Sequence, residues 1–328
     1  MEFKSLVVYE REDGSFEQKI EKRDIDSLPE GDVLVRVHYA ALNFKDALSC
    51  TGNKGVTRNY PHTPGIDAVG VVESSSSDEF SIGESVIVTS YDLGMNTSGA
   101  FSEYIRVPKE WVIKLPENLT LKEAGTYGTG ALTAALSLYK LEQNGITPKS
   151  GKILVTGSTG GVGSFAVSIL AKAGYEVVAM SGKADKVEFL KNMGASEVIG
   201  RDVIDVANKR ALLKPLFAGC IDTVGGDILA SIFKYISYGG SVTNCGLVAS
   251  PAINTTVFPF ILRGINLLGI DSAETPRELR CKIWEKLSNE WKVDTSSITT
   301  EHSLENLPEL VQKILKGKLS GRAVIKLI

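Results

Sequence analysis

The stretch Ile153-Leu154-Val155-Thr156-Gly157-Ser158-Thr159-Gly160-Gly161-Val162-Gly163 decides the fold, because an apolar run turns through glycines into the helical pattern of residues 164–173. Glycines at such a turn let main chain approach main chain and ligand. A helix starting there aims its first N–H groups at an anion, a pyrophosphate above all. Counted back from Gly163, a GxGxxG pattern would begin at Ser158, so its first glycine is replaced. An incomplete fingerprint is weak alone, but a strand before it, a helix after it and a further strand at 176–180 supply the context it needs. The competing reading is that these glycines serve only tight strand-to-helix packing.

Downstream, β-like runs at 153–156, 176–180, 219–223, 240–245 and 266–270 alternate with helical ones. That alternation predicts an α/β, doubly wound parallel sheet of the Rossmann kind. Upstream, residues 3–116 carry short alternating runs at 6–9, 33–39, 68–72, 85–89 and 101–107, separated by turn signals such as Asp13-Gly14, Glu30-Gly31 and Pro64-Gly65. They predict a mostly-β, barrel-like domain. The polar run 73–79 reads as an exposed loop. A helical pattern at 122–143 contains Gly128-Thr129-Gly130 and leads to a linker at 144–151, which places a boundary near Ala124. The tail, with helix patterns at 276–291 and 303–316 and a strand-like run at 322–328, does not extend the alternation. It is expected to return to the first domain, giving 1–123, 124–272 and 273–328 as successive segments.

The 328 residues carry 43% apolar side chains and a formal net charge of −3, with a pI near 5.8. That is material for two ordinary cores, and no basic balance exists to recruit nucleic acid or an anionic membrane. Charges interrupt the N-terminal apolar run too early for a signal peptide, and no apolar run reaches bilayer length, so a cytoplasmic location is expected. Cys50, Cys220, Cys245 and Cys281 lie far apart with no CxxC pair, and with His38, His62 and His302 they form no metal-ligand spacing. They read as reduced thiols, and no metal site is expected.

The end of the strand after the glycine turn discriminates between cofactors. An NAD site places an acid there for the ribose hydroxyls, and that carboxylate would repel a 2′-phosphate. This chain reads Ala179-Met180-Ser181-Gly182-Lys183. With no acid and with Lys183 at hand, NADPH is expected over NADH, and Arg201 after the third strand is placed to add a bidentate phosphate contact. The alternative is that Lys183 begins a solvated helix.

Together with the first domain, these residues resemble the medium-chain dehydrogenase/reductase superfamily along nearly the whole chain. Leu42-Asn43-Phe44-Lys45-Asp46-Ala47-Leu48, Pro64-Gly65-Ile66-Asp67-Ala68-Val69-Gly70 and Gly99-Ala100-Phe101-Ser102-Glu103-Tyr104 carry the likeness. Asn43 and Ile66 stand where alcohol dehydrogenases have Cys and His ligands, so the chain is similar to zinc-free, quinone-oxidoreductase-like members. Ile221-Asp222-Thr223-Val224-Gly225-Gly226, the run 258–272 and the terminal Gly321-Arg322 narrow the likeness to the YhdH/YhfP group. That resemblance implies a GroES-like mostly-β catalytic domain, a Rossmann domain for NADP, and NADPH-dependent reduction of acryloyl-CoA to propanoyl-CoA. By position it implies cofactor contacts at Phe44, at Thr159, Gly160, Gly161 and Val162, and at Ser181, Gly182 and Lys183. It adds Arg201, Leu247, Ile261, Ser272 and Gly317. Phe44 lacks the hydroxyl of the family's usual Tyr, and Gly317 replaces a frequent Asn.

Hydride transfer to an activated alkene requires donors for the developing enolate oxygen. Without a Lewis acid these are main-chain N–H groups, the cofactor, or a side chain such as Asn43. Asp46 is the titratable candidate for acid/base work; the alternative is that it caps the following helix. Lys45, Lys54, Arg58 and Arg263 are candidates for a basic rim around a CoA ester, against a reading as ordinary surface or structural charges. Tyr60 and His62 are expected to shape a turn. Thr129 either approaches the nicotinamide or marks close helix packing. Apolar positions in 266–270 suit edge pairing with a second copy, so a homodimer is expected. The competing functions are reduction of quinones or other conjugated carbonyls and, from another class, NADPH binding without turnover.

Overall fold

The computed structural model describes all residues, Met1–Ile328. They form two compact units, one made of Met1–Thr129, Ala273–Ser288 and Thr295–Ile328, the other of Gly130–Ser272 and Asn289–Asp294.

The first unit begins with an antiparallel hairpin, β1 (Glu2–Glu10) on β2 (Phe16–Asp24). It continues through β3 (Val33–Ala41), α1 (Phe44–Cys50), β4 (Asp67–Ser75), β5 (Ser85–Thr89), β6 (Tyr104–Val107) and β7 (Val112–Lys114). Alternation of apolar residues along these strands builds one core. Val33, Val35 and Val37 of β3 and Val86 and Val88 of β5 are fully buried with Phe101, Ile105 and Val107. The helical segment α2 (Leu121–Gln143) follows and is broken at Gly128, which has φ 45° and ψ −152°. The boundary expected near Ala124 falls in its first half, whereas the compact units divide after Thr129.

The second unit is the doubly wound sheet. It comprises β8 (Ile153–Val155), α3 (Gly161–Lys172), β9 (Val177–Met180), α4 (Val187–Asn192), β10 (Glu197–Ile199), β11 (Phe217–Asp222), α5 (Gly226–Ile232), β12 (Ile236–Asn244), α6 (Phe258–Arg263) and β13 (Asn266–Gly269). The order is β10-β9-β8-β11-β12-β13, and every pairing is parallel. Chain leaving β8 winds to one side and chain entering at β11 winds to the other, so the switch point lies between β8 and β11. The α3 helix is apolar almost all round, and Phe165, Val167, Ile169 and Leu170 are fully buried.

After α7 (Arg277–Ser288), the tail supplies β14 (Thr299–His302), α8 (Leu307–Leu315) and β15 (Arg322–Lys326). β15 pairs antiparallel with β3 and parallel with β14, giving the order β14-β15-β3-β4-β5-β7 with β6 also on β3. The last strand thus carries Arg322 into the heart of the first unit.

Candidate functional site

In the second unit, the glycine turn opens α3 with Gly160 as its N-cap in an extended conformation. No side chain caps it, and the first N–H groups of an α-helix have no partner within the helix. Gly163 packs where a Cβ would collide with the Gly157 carbonyl, so the turn admits no side chain there. Ser158, in place of the fingerprint's first glycine, is fully buried, and its hydroxyl faces the carbonyls of Val155 (2.8 Å) and Met180 (2.9 Å). Position 158 therefore clamps β8 to β9, a role that sequence spacing did not disclose.

Beyond β9 the chain turns on Ser181, whose Oγ accepts the Lys183 N–H at 3.0 Å. Lys183 is half-buried, and burial together with the neighbouring Lys186 ammonium holds its pKa below the usual lysine value. An anion would relieve both. The Arg201 side chain lies over Gly182, where a Cβ would sit 2.9 Å from Arg201 Nε. Beside it is an open depression of about 400 Å³ lined by Arg201, Asp202, Ile204, Asp205, Val206, Ala207 and Ile228, so two carboxylates share its wall with the guanidinium. The lack of a side chain at Gly182 thus lets Arg201 approach the turn formed by Ser181 and Lys183. Thr159, Gly160, Gly161 and Val162 share the α3 turn. Leu247 and Ile261 are exposed, and Ser272 Oγ accepts from Thr133 Oγ1 at 2.8 Å. Phe44 and Gly317 belong to the first unit, Gly317 just after α8 with φ 65°.

The first unit holds a buried polar cluster. Arg322 and Asp67 are 3% and 1% exposed and form an ion pair, Nη2 to Oδ2 at 3.2 Å. Arg322 also donates through Nη1 to Asn43 Oδ1 (2.9 Å) and through Nε to the Thr126 carbonyl (3.0 Å). Asp67 Oδ1 accepts from the Thr129 N–H (2.8 Å) and hydroxyl (2.5 Å), and Ser90 Oγ lies 2.9 Å from Thr129 Oγ1. The break at Gly128 makes this possible, since a Cβ there would collide with Asp67 Oδ2. Asp67, Ser90 and Arg322 were not singled out as site residues by sequence, although Arg322 and Asp67 lay within the quoted motifs, and Thr129 was read as either approaching the nicotinamide or marking close helix packing.

Asn43 and Asp46 turn inward. Both Asn43 amide hydrogens are engaged, one with Asp67 Oδ2 (2.8 Å) and one with the Ala41 carbonyl (3.2 Å), while its oxygen faces Arg322. Reversing the amide would aim N–H at guanidinium, so the orientation is chemically fixed. That leaves Asn43 no N–H for a substrate oxygen. Asp46 is fully buried at the third position of α1. Its Oδ2 accepts the Asn43 N–H (2.7 Å) and its Oδ1 the Ile66 N–H (2.9 Å). This is the helix-capping alternative. Burial, with the Asp67 carboxylate nearby, raises its pKa to about 7.

Arg263 likewise departs from expectation as a substrate contact. Its guanidinium donates to the carbonyls of Lys234 (2.8 Å), Ile236 (2.9 Å) and Leu213, and so ties α6 to the start of β12. Lys54 pairs with Glu10 at 2.6 Å and covers the Tyr60 ring. By contrast, Lys45 on the first turn of α1 is half-buried, and its ammonium meets the Met95 thioether at 3.8 Å rather than a carboxylate. His62 is buried in a strand-like bridge to Val8. No group of three or more His, Cys, Asp and Glu side chains is placed to hold a metal ion.

Residues 29–117 match the alcohol dehydrogenase GroES-like domain and residues 161–289 the zinc-binding dehydrogenase domain. The chain is 46% identical over 304 residues, 92% of each chain, to the putative quinone oxidoreductase YhfP of Bacillus subtilis. The structure of YhfP with NAD bound matches with a TM-score of 0.97 over all of both chains. Acrylyl-CoA reductase AcuI of Ruegeria pomeroyi is 39% identical over 98% of each chain. The yhdH oxidoreductase of Salmonella enterica, solved in complex with NADP, matches with a TM-score of 0.96 and 38% identity over all of both chains. The chain belongs to the medium-chain dehydrogenase/reductase superfamily of oxidoreductases, in its zinc-free, quinone-oxidoreductase-like group.

Proposed function

We propose that this protein is an NADPH-dependent reductase of the C=C bond of an α,β-unsaturated acyl-CoA of the acryloyl-CoA type. The observation that carries the cofactor is the end of β9, where Ser181, Gly182 and Lys183 stand with Arg201 and no carboxylate occupies the ribose position. The likeness to AcuI over 98% of the chain supports the acyl-CoA acceptor.

The residues present fit the dinucleotide. The uncapped start of α3 and the side-chain-free turn at Gly160 and Gly163 suit a pyrophosphate; Lys183 and Arg201 suit a 2′-phosphate, and the depression beside Arg201 suits the adenosine end. Thr159, Gly161 and Val162 are proposed to line the same turn. Leu247, Ile261, Ser272, Phe44 and Gly317 are proposed as further contacts, the last through main chain alone. Bound NADPH supplies the hydride for the β-carbon.

What the chain's own residues do follows from their commitments. Asn43 and Asp46 act by holding the Ala41–Asp46 turn in place, not by donating to the substrate, because every amide N–H and both carboxylate oxygens are spent internally. Lys45 carries the half-buried positive charge without a carboxylate partner in this segment. It is proposed to meet the thioester or a CoA phosphate. The proton for the α-carbon is proposed to come from solvent, since the polar atoms of Asn43 and Asp46 are committed internally.

Reduction of small quinones is the second reading, and the 46% identity to YhfP favours it. Initial rates of NADPH oxidation with acryloyl-CoA, crotonyl-CoA and a benzoquinone separate the two. A response to benzoquinone alone rejects the thioester assignment, and tight NADPH binding with no acceptor at all favours a binding protein without turnover. We also propose a homodimer through the edge strand β13, near which Val257, Phe258, Ile261, Leu262 and Leu267 are exposed. No helix is long and apolar enough to cross a membrane. A cytoplasmic location is proposed with this function.

A further inference from the structure

We infer that Asp222 is the positioning residue of the dinucleotide turn, its carboxylate holding the carboxyl ends of β8, β11 and β12 in one fixed arrangement. This rests on the dinucleotide reading above. Asp222 is the last residue of β11, at the switch point of the sheet, where ligands bind in open α/β folds. It is fully buried and in no ion pair with Lys or Arg, and the proposed chemistry makes no use of it.

A buried carboxylate is retained at a cost unless hydrogen bonds surround it. Here Oδ1 accepts from the Thr156 hydroxyl (2.7 Å). Oδ2 accepts from the Gly225 N–H (2.8 Å), the Val224 N–H (3.3 Å) and Asn244 Nδ2 (2.8 Å). The four partners begin three different loops. Thr156 leads into the glycine turn, and Val224 and Gly225 lead into α5. Asn244 precedes Gly246, whose carbonyl it also holds at 2.9 Å. The knot closes on itself. The Thr156 Oγ accepts the Thr223 N–H (2.9 Å), the Thr223 hydroxyl donates to the Thr156 carbonyl (2.9 Å), and the Cys245 N–H donates to the Asp222 carbonyl (3.1 Å). Burial raises the carboxyl pKa, and the hydrogen bonds from Thr156, Gly225, Asn244 and Val224 oppose the rise.

The partners of Oδ2 are all donors, so an amide at 222 must keep its oxygen there and turn its NH2 toward the Thr156 hydroxyl, which loses its acceptor while one amide N–H is left without a partner. Asp222→Asn should therefore spread the three loops, with an affinity cost of about tenfold for one unpaired buried donor. The test measures NADPH dissociation constants, kcat and both KM values for Asp222→Asn, Thr156→Val and Thr156→Ser, with thermal melts alongside. The expected result is a roughly tenfold higher Kd and KM for NADPH in Asp222→Asn and Thr156→Val. Expected alongside it are a retained kcat at saturating NADPH, an unchanged KM for the acceptor, and near-parental behaviour in Thr156→Ser. Should Asp222→Asn fail to fold, the Thr156 pair carries the comparison. NADPH affinity unchanged in Asp222→Asn or Thr156→Val overturns the positioning role while leaving the cofactor reading intact, as does a Thr156→Ser variant as weak as Thr156→Val. A parent protein that binds no dinucleotide overturns both.

Discussion

Replacing Arg322 by Met removes the cation of the buried cluster while keeping a long apolar stem. Three bonds disappear: to Asp67 Oδ2, to Asn43 Oδ1 and to the Thr126 carbonyl. Breaking a buried ion pair from one side costs about 3–5 kcal/mol, because it strands a charge in the interior. Asp67 retains the Asn43 amide and two Thr129 donors, so the loss belongs at the lower end, about 3 kcal/mol. Urea unfolding read by tryptophan fluorescence is a suitable assay, since Trp111 and the fully buried Trp284 both lie in this unit. Separate transitions for the two units are to be fitted separately. The double variant Asp67→Asn/Arg322→Met removes both charges and should recover part of the loss. A loss below about 1 kcal/mol for Arg322→Met, or a double variant whose loss is the sum of the two single losses, would mean that Arg322 and Asp67 are not a coupled buried ion pair.

Three further outcomes are expected. Asp46 has a folded pKa of about 7, above its unfolded value of about 3.9, so the folded state holds the proton more tightly. Its contribution to stability is fully present below about pH 4 and is lost as pH rises through about 7. Asp46→Asn should gain on the parent between pH 5 and 7, and a difference that is flat with pH over that range contradicts the burial argument. Lys183→Glu should reduce NADPH affinity and shift preference toward NADH by about tenfold or more, through charge repulsion at the ribose phosphate; an unchanged ratio of Kd values rejects the phosphate role. Light scattering at micromolar concentration should give twice the chain mass of 35.3 kDa, and a monomer mass rejects the β13 interface.

The doubly wound half was legible because its signals are local. The β8 run, the glycine turn and the apolar α3 pattern lie within about twenty residues. The site in the first unit was not, because its bonds are long-range. Asn43 meets Arg322 across 279 positions and Asp67 meets Thr129 across 62, and no periodicity connects them. Sequence brought Asn43 and Asp46 forward as a pair but could not show that their polar atoms are spent on each other, on Asp67 and on main chain. Arg263 misled for a related reason. A basic residue beside a helix end looks the same in sequence whether it faces solvent or, as here, three carbonyls. Ser158 read as a defect in a motif because its two carbonyl partners lie on adjacent strands.

Hydride delivery to an enoyl thioester can be followed by isotope transfer. With acryloyl-CoA and NADPH carrying deuterium at the transferable C4 position, mass spectrometry of the propanoyl-CoA product should find one deuterium on the β-carbon and a solvent proton on the α-carbon. Propanoyl-CoA without the label, or oxidation of the cofactor with no propanoyl-CoA formed, would contradict it.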